Sequence, residues 1–144
     1  MVCLGNICRS PLAHGILQSK LDSEKNLVDS AGTAAYHIGE QPDSRSILVA
    51  KKYKIDISNQ RARQFCVQDF DIFDVIYAMD KSNYQNIISL AKNEQDLQKV
   101  QLILNELQPN LNANVPDPYY GGNQGFENVY KMLEQACEII AKKI

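Results

Sequence analysis

The sequence predicts an α/β fold: a four-stranded parallel sheet with strand order 2-1-3-4 and helices on both faces, a three-layer α/β/α sandwich. Three observations support this prediction. Short apolar runs alternate with helical patterns along the chain, which is typical of parallel crossover units. The 144 residues, 44% of them hydrophobic, are enough for one core and therefore for a single domain, residues 1–144. A sharp loop follows the first apolar run, and such sheets bind ligands beyond the carboxyl ends of their strands.

The first strand is a short apolar segment, Met1–Cys3, that runs into a tight loop. Gly5 and Asn6 suit this loop because glycine and asparagine take a positive φ more readily than most residues. Ser10 and Pro11 then resemble a helix start, since serine is a preferred N-cap and proline fits the first helical position. We therefore predict a strand, a tight loop and a helix start in direct succession.

The remaining elements are predicted from helical periodicity and from runs of β-forming residues. In chain order they are a helix from Leu12 to about Ser23, a strand at Asn26–Ala31, a helix from Pro42, a strand at Phe73–Met79, a helix from Asp80 to Ala91, a strand at Val100–Leu104 and a helix from Phe126. The segment from Ile55 to Phe70 is predicted to be irregular. Cys137 falls on the apolar stripe of the last helix, so we expect it in the core.

The loop after the first strand is predicted to bind an anion. Successive N–H groups of a curled loop form a nest, and the helix start adds unpaired donors and a partial positive charge. Arg9 supplies a planar guanidinium that fits two oxygens of one phosphate. Cys3 lies at the mouth of this nest, and a site that stabilises a dianion also stabilises a thiolate. We predict that Cys3 is ionised at neutral pH and attacks phosphorus.

Two carboxylates are candidates for acid-base chemistry. Pro116 and Pro118 fix the backbone on either side of Asp117, so this carboxyl group is presented on a loop. It fits a general acid that protonates the leaving oxygen, and it also fits an ordinary turn-forming Asp-Pro pair. Asp80 is interpreted as a capping or loop-fixing carboxylate, because it lies where a helix N-terminus needs acceptors.

The run from Cys3 to Pro11, Cys-Leu-Gly-Asn-Ile-Cys-Arg-Ser-Pro, resembles the signature loop of the low molecular weight protein tyrosine phosphatases. The likeness continues at Asp29–Thr33, Pro42-Asp43, Ala62–Gln64, Ala78–Asp80 and Asp117–Tyr120, and so covers nearly the whole chain. This resemblance implies a metal-independent, cofactor-free hydrolase that cleaves phosphotyrosine and other aryl phosphate monoesters through a cysteinyl-phosphate intermediate.

The resemblance also implies roles for individual residues. Cys3 is the expected nucleophile and Arg9 the phosphate clamp, and together with the thiol site the family match favours Asp117 as the general acid. Ser10 is expected to donate a hydrogen bond to the departing thiolate. The expected substrate-binding residues are loop residues around the phosphoryl group and aromatic walls of the slot: Leu4, Gly5, Asn6, Ile7, Cys8, Ser10, Tyr36, Tyr119 and Tyr120.

Cys8 allows two interpretations. It lies in the same loop as Cys3, so it either captures an oxidised Cys3 as a disulfide or packs beneath the loop. The geometry of the loop favours neither interpretation, and the resemblance favours the redox role.

Gln60 departs from the family pattern. Many members have a histidine at this position, where it joins a hydrogen-bond network with the residues matching Asn6 and Ser30. A glutamine amide both donates and accepts, so we expect the network to survive with altered geometry.

Three other functions are compatible with parts of this sequence. Arsenate reductases share this fold and loop, but those relatives need a pair of redox cysteines in the middle of the chain, where only Cys66 is available. In phosphoarginine phosphatases a threonine tends to occupy the place of Ile7, and the apolar side chain favours phosphotyrosine. A phosphotyrosine-binding module without activity is disfavoured by the presence of both Cys3 and Asp117.

The bulk properties limit the partners. A formal net charge of -2 and scattered basic residues, Arg61 and Arg63 among them as solvated surface residues, disfavour nucleic-acid binding. No apolar run approaches the roughly 20 residues that span a bilayer. The four cysteines form no C-x-x-C pair, and neither His14 nor His37 lies at zinc-ligand spacing from them, so we expect reduced thiols and no metal. The expected partners are a phosphotyrosine-containing protein and inorganic phosphate or a similar oxyanion, in the cytoplasm.

Overall fold

A computed structural model describes residues 1–144, whose centre is a parallel sheet of four short strands. The strands are β1 (Val2–Cys3), β2 (Ala31–Gly32), β3 (Ile76–Ala78) and β4 (Val100–Leu102), and they lie in the order β2-β1-β3-β4. In the register of β1, Cys3 lies opposite Gly32 and Val2 lies opposite both Ala31 and Ala78. The predicted strand order 2-1-3-4 is confirmed.

Six α-helices surround the sheet: α1 (Arg9–Lys20), α2 (Ser44–Lys52), α3 (Asp69–Ile72), α4 (Lys81–Ile88), α5 (Glu94–Gln98) and α6 (Asn123–Lys143). Two 3-10 turns, Ile103–Glu106 and Pro118–Tyr120, complete the regular structure. None of these helices combines the length and the apolar character that crossing a lipid bilayer requires.

The sheet separates two hydrophobic cores, because successive strand residues point to opposite faces. Val2 faces the smaller core, which α3 and α4 cover, whereas Cys3 faces the larger core built with α1, α2 and α6. Ala78 and Tyr77 show the same alternation on β3. The predicted three-layer α/β/α arrangement is therefore confirmed, and Cys137 lies fully buried in the larger core, as expected.

The first helix starts earlier than predicted. Its N-terminal residue is Arg9, the capping position is Cys8, and no side chain makes a capping hydrogen bond, so the prediction of a Ser10 N-cap is wrong. The Ser10 hydroxyl instead forms hydrogen bonds with the side chains of Cys3 and Asn6 in the loop. Pro11 still fits, because backbone N–H groups in the first turn of a helix lack intrahelical partners. The helix ends at Lys20 instead of near Ser23.

Other boundaries also differ from prediction. The second strand was placed at Asn26–Ala31, but only Ala31 and Gly32 form it, because β1 offers only Val2 and Cys3 as ladder partners. The short helices α3 and α5 were not predicted, since four or five residues carry little periodicity. The capping role of Asp80 is confirmed: its Oδ1 accepts the N–H of Asn83 at 2.8 Å in the first turn of α4.

Candidate active site

The loop between β1 and α1 curls around a left-handed residue. Asn6 has a φ of 57°, whereas Gly5 is not left-handed, so the expected positive φ is confirmed for Asn6 and wrong for Gly5. Space is limited at Gly5, because a Cβ there would lie 3.1 Å from Cδ2 of His37 and the histidine ring would have to shift by a few tenths of an ångström. A Cβ on Gly32 would lie only 2.7 Å from the carbonyl oxygen of Leu4, so the end of β2 passes directly beneath the loop.

The carbonyl groups of this loop accept hydrogen bonds from outside it. Those of Cys3, Leu4 and Ile7 accept backbone N–H groups of Thr33, Ala34 and Asp43 at 2.9, 3.0 and 2.8 Å, and that of Cys8 accepts the Ser46 hydroxyl at 3.2 Å. With these carbonyls directed outward, N–H groups of the curled loop are left to point inward. The Asn6 N–H does so, at 3.2 Å from the Cys3 sulfur. The loop therefore has the curled backbone that the predicted anion nest requires.

Cys3 is buried at the base of the nest, not at its mouth as predicted, and has two hydrogen-bonding neighbours. Its sulfur lies 3.0 Å from the Ser10 Oγ and 3.2 Å from the Asn6 nitrogen. Both neighbours suit a thiolate, which accepts hydrogen bonds and donates none. Burial raises the pKa of the second loop cysteine, Cys8, to about 12, so that thiol stays protonated at neutral pH.

Arg9 is held rigidly beside the loop although its guanidinium is almost fully buried. One nitrogen, Nη1, donates to Asp80 Oδ2 at 2.7 Å and to the Val115 carbonyl at 2.9 Å. The other nitrogen, Nη2, lies 3.8 Å from Asp117 Oδ2. Removing one partner of such a buried ion pair typically costs about 3–5 kcal/mol. Asp80 therefore also has the loop-fixing role that was predicted for it.

The Asp117 loop is attached to the carboxyl end of β3. The Val115 N–H donates to the Met79 carbonyl at 2.8 Å, and the Lys81 N–H donates to the Asn114 side chain at 2.9 Å. Asp117 follows directly, with its side chain 40% exposed. Because β3 lies beside β1 in the sheet, a residue far along the chain comes to lie next to the first loop.

The loop and Asp117 share one cavity of about 240 Å³. Its lining residues are Cys3, Leu4, Gly5, Ile7, Cys8, Arg9, Tyr36, His37, Asp117, Tyr119 and Tyr120. All predicted site residues except Asn6 and Ser10 line it, and those two lie buried behind the loop. His37, which the sequence indicated only as a surface residue that could influence specificity, lines it as well. A larger cavity of about 400 Å³ opens at the opposite, amino end of the sheet and contains none of the predicted site residues.

Aromatic side chains form the mouth of the cavity. Tyr36 and Tyr120 are exposed, and the rings of Tyr119 and Tyr120 meet edge to face with centroids 5.0 Å apart. The Arg45 guanidinium lies over the Tyr119 ring, 5.5 Å from its centroid. Such walls fit an aromatic ring that enters edge-on or stacked.

A chain of hydrogen bonds lies behind the loop. The Asn6 amide nitrogen donates to the hydroxyls of Ser10 at 2.8 Å and Ser30 at 3.0 Å. Ser30 Oγ lies 3.2 Å from Nδ1 of His14. Gln60 donates to the Pro11 carbonyl instead, so the expected network is present but the histidine in it comes from α1. His14 follows Ser10 by one helical turn, a spacing that was available in the sequence.

Arg63 anchors the same network and was wrongly interpreted as a solvated residue. Its guanidinium contacts Asp29 at 3.1 Å and makes a bidentate pair with Asp69 at 3.0 and 3.1 Å. Its backbone N–H donates to the Asn6 Oδ1 at 3.1 Å. Sequence reasoning missed this because Asp69 belongs to α3, which was not predicted.

The half-buried position of His14 predicts acid sensitivity. Burial lowers its pKa from an ordinary value near 6.5 to about 4 in the folded chain. The unfolded chain therefore binds more protons between these two values, and the stability that neutral His14 confers is present above pH 6.5 and lost as the pH falls toward 4. We expect the melting temperature of the natural chain to fall more steeply over this range than that of His14→Asn, as scanning calorimetry measures. Parallel curves for the two chains would contradict the expectation.

Comparisons with known proteins give one consistent result. A model of the family described as low molecular weight phosphotyrosine protein phosphatase matches residues 1–144. A putative low molecular weight protein-tyrosine-phosphatase of Synechocystis is 46% identical over 140 residues, which cover 94% of this chain and 88% of that protein.

Two solved structures are similar throughout. The protein tyrosine phosphatase of Entamoeba histolytica with Hepes in the active site is 40% identical, with a TM-score of 0.91 over 99% of this chain and 92% of that chain. The Vibrio vulnificus protein Wzb, in complex with benzylphosphonate, is 31% identical, with a TM-score of 0.89 over 99% of this chain and 95% of that chain.

Proposed function

This chain belongs to the low molecular weight phosphotyrosine protein phosphatases, which are cysteine-dependent hydrolases, and we propose that Cys3, Arg9 and Asp117 carry its reaction. The observation that supports this assignment is their meeting in one cavity. Cys3 and Asp117 line the same cavity, and the Arg9 guanidinium lies 3.8 Å from the Asp117 carboxylate. The cysteinyl-phosphate intermediate of the family requires just such a nucleophile, clamp and proton donor.

In the first proposed step, the Cys3 sulfur attacks phosphorus. The S–P bond forms as the bond from phosphorus to the phenolic oxygen breaks, and Asp117 gives its proton to that oxygen. The loop N–H groups and the Arg9 guanidinium stabilise charge on the equatorial phosphoryl oxygens. Asp80 holds the guanidinium in place, so this stabilisation requires little reorganisation.

In the second proposed step, Asp117 acts as a base. Its carboxylate takes a proton from water, the water oxygen attacks phosphorus, and the S–P bond breaks with its electron pair returning to sulfur. The departing thiolate accepts hydrogen bonds from the Ser10 hydroxyl and the Asn6 N–H, which lie 3.0 and 3.2 Å from the sulfur. Inorganic phosphate leaves, and Asp117 is protonated again for the next cycle.

The proposed substrate is a phosphotyrosine-containing protein, and the proposed product ligand is inorganic phosphate. The tyrosines at the mouth of the cavity support an aromatic ring next to the phosphoryl group. The Vibrio relative is in complex with benzylphosphonate, whose aromatic ring lies one carbon from a phosphonate group. Ile7, an apolar lining residue, supports phosphotyrosine over phosphoarginine.

The proposed organisation and location follow from the same features. We propose that residues 1–144 form one phosphatase domain, since the family match extends over all of them. A cytoplasmic location is supported by four free cysteines, because a reducing compartment keeps the Cys3 thiol available.

A turnover panel tests the proposed function. Peptides carrying phosphotyrosine, phosphoserine or phosphoarginine are incubated with the enzyme and phosphate release is measured, with arsenate reduction assayed in parallel. We expect release from phosphotyrosine at least about 100-fold faster than from phosphoserine, because the slot accommodates an aryl group. Faster release from phosphoarginine than from phosphotyrosine, or reduction of arsenate, would show that the proposed substrate is wrong.

The redox role of Cys8 is a separate prediction. Peroxide converts the Cys3 thiolate to a sulfenic acid, and the Cys8 thiol then displaces water to form a disulfide that a thiol reductant reopens. We expect dithiothreitol to restore most of the activity of the peroxide-treated natural chain but little of that of Cys8→Ala. Exposed Cys66→Ala is the control and should recover like the natural chain. Equal recovery in all three would leave Cys8 as a packing residue.

A further inference from the structure

We propose that His14 is a positioning residue of the catalytic loop: its Nδ1 accepts the Ser30 hydroxyl proton and thereby fixes the direction of the hydrogen bonds that lead to the Cys3 sulfur. The contacts run from His14 through Ser30, Asn6 and Ser10 to Cys3. This inference rests on the proposed function of Cys3 as the nucleophile.

The orientation of the Asn6 amide is the starting point. Its Oδ1 accepts the backbone N–H of Arg63 at 3.1 Å, and a backbone N–H can only donate. The amide nitrogen must therefore be the atom that faces the two serines. Its two hydrogens go to Ser10 at 2.8 Å and to Ser30 at 3.0 Å, which uses the full donor capacity of the amide.

Each serine oxygen thus receives an N–H and must place its own proton elsewhere. The Ser10 proton goes to the Cys3 sulfur, 3.0 Å away, for which the Ala31 carbonyl at 3.5 Å is a weaker competitor. The acceptor available to the Ser30 hydroxyl proton is Nδ1 of His14, which lies 3.2 Å from the Ser30 oxygen. Ser30 is buried, and a buried hydroxyl without an acceptor costs about 1–3 kcal/mol.

His14 serves as this acceptor only while Nδ1 carries no proton. Burial is the largest influence and lowers the pKa of His14 to about 4, with Arg63 and the N-terminal ammonium also lowering it and Asp29 raising it. The ring is therefore neutral at pH 7. Gln60 lies beside the ring and raises the pKa of His14 through a side-chain hydrogen bond, and its buried Oε1 has no other partner, an environment that suits the tautomer with its proton on Nε2.

The network matters because Asn6 is the left-handed residue of the loop. Its side chain is fixed at three points while its backbone N–H lies 3.2 Å from the sulfur. Without the acceptor on His14, the Ser30 hydroxyl must turn and weaken its bond to Asn6. The hydrogen bonds that reach the sulfur from Asn6 and Ser10 then lose their fixed direction, and linked hydrogen bonds of this kind strengthen or weaken together.

Substitutions of His14 test this proposal. His14→Phe and His14→Leu remove the acceptor, and either is sufficient if the other does not fold. His14→Asn keeps an acceptor at the δ position and is the conservative variant. Gln18→Phe, an exposed position one turn further along α1, is the matched control. The two readouts are kcat/KM for 4-nitrophenyl phosphate and the pH dependence of Cys3 alkylation by iodoacetamide.

We expect Phe and Leu at position 14 to lower kcat/KM about tenfold and to shift the alkylation midpoint to higher pH. His14→Asn and Gln18→Phe should stay within about threefold of the natural chain. In a Ser30→Ala background, His14→Phe should have no further effect, because the contact it removes is already lost.

Three outcomes overturn the proposal: natural values of both readouts in folded His14→Phe or His14→Leu, an undiminished effect of His14→Phe in the Ser30→Ala background, and loss of activity in His14→Asn equal to that in His14→Phe. These outcomes differ from failure of the proposed function, in which the natural chain itself releases no phosphate from aryl phosphates.

Discussion

Replacing Cys3 by serine should lower kcat by about four orders of magnitude or more, while inorganic phosphate still binds within about tenfold of its natural affinity. A serine hydroxyl needs a base to become a nucleophile. The groups that face the sulfur are the Ser10 hydroxyl and the Asn6 N–H, which suit an anion already formed and do not remove a proton. The phosphate contacts of Arg9 and the loop amides do not depend on sulfur, so binding survives.

Phosphate release and calorimetric titration with phosphate measure these two effects separately. Cys66→Ser is the matched control, because that cysteine is exposed and lies outside the cavity, and it should keep natural activity and binding. Substantial turnover by Cys3→Ser would exclude Cys3 as the nucleophile. Loss of phosphate binding together with turnover would mean that the substitution had disrupted the loop.

Replacing Asp117 by asparagine should lower kcat/KM for phosphotyrosine peptides about 100- to 1,000-fold, but kcat/KM for 4-nitrophenyl phosphate only a few-fold. The phenolate of tyrosine is a poor leaving group and needs a proton, whereas 4-nitrophenolate leaves without one. Asparagine retains the Oδ1 that accepts the Tyr119 N–H at 3.0 Å, so the loop keeps its shape. The substitution therefore removes the proton donor of the first step and the base of the second, and kcat/KM reports the first of these effects because it covers the reaction only as far as loss of the phenol.

A series of aryl phosphates with graded leaving groups measures this effect as a slope of log kcat/KM against leaving-group acidity. The slope should be steep for Asp117→Asn and shallow for both the natural chain and Asp74→Asn, an exposed carboxylate used as the control. Equal losses for every leaving group would contradict an acid role for Asp117. A purely structural role would produce that result, since it would slow all substrates alike.

The sequence predicted those parts of the fold that depend on local chemistry. The curl at Asn6 and the cap at Asp80 follow from the preferences of single residues, and both are present. The start of α1 was misplaced because Ser10 has a second possible use: its hydroxyl bonds to Cys3 and Asn6 instead of capping the helix. Local propensity does not indicate which use prevails, since the choice depends on residues brought together by folding.

The same limit applies to the site. Most of the residues that line the cavity could be predicted, because the loop motif and the Asp117 loop are each recognisable as short runs in the sequence. His14 and His37 belong to no such run, and Arg63 lies in the recognised stretch Ala62–Gln64 but was interpreted there as a solvated residue. Their importance arises from contacts with Ser30, with Gly5 and with Asp69, each made between segments that are separate in sequence. Such contacts become predictable only when the register of the strands and the short helix α3 are known.

Because the Asp80 carboxylate already neutralises the positive charge of the Arg9 guanidinium, this pair presents a net charge close to zero to an incoming phosphate dianion. The attraction must then come largely from amide dipoles, which fall off with distance more steeply than a net charge does. Free phosphate should consequently be retained weakly once its bond to sulfur is broken, so that inhibition by accumulated product is mild and recruitment of substrate depends little on ionic strength.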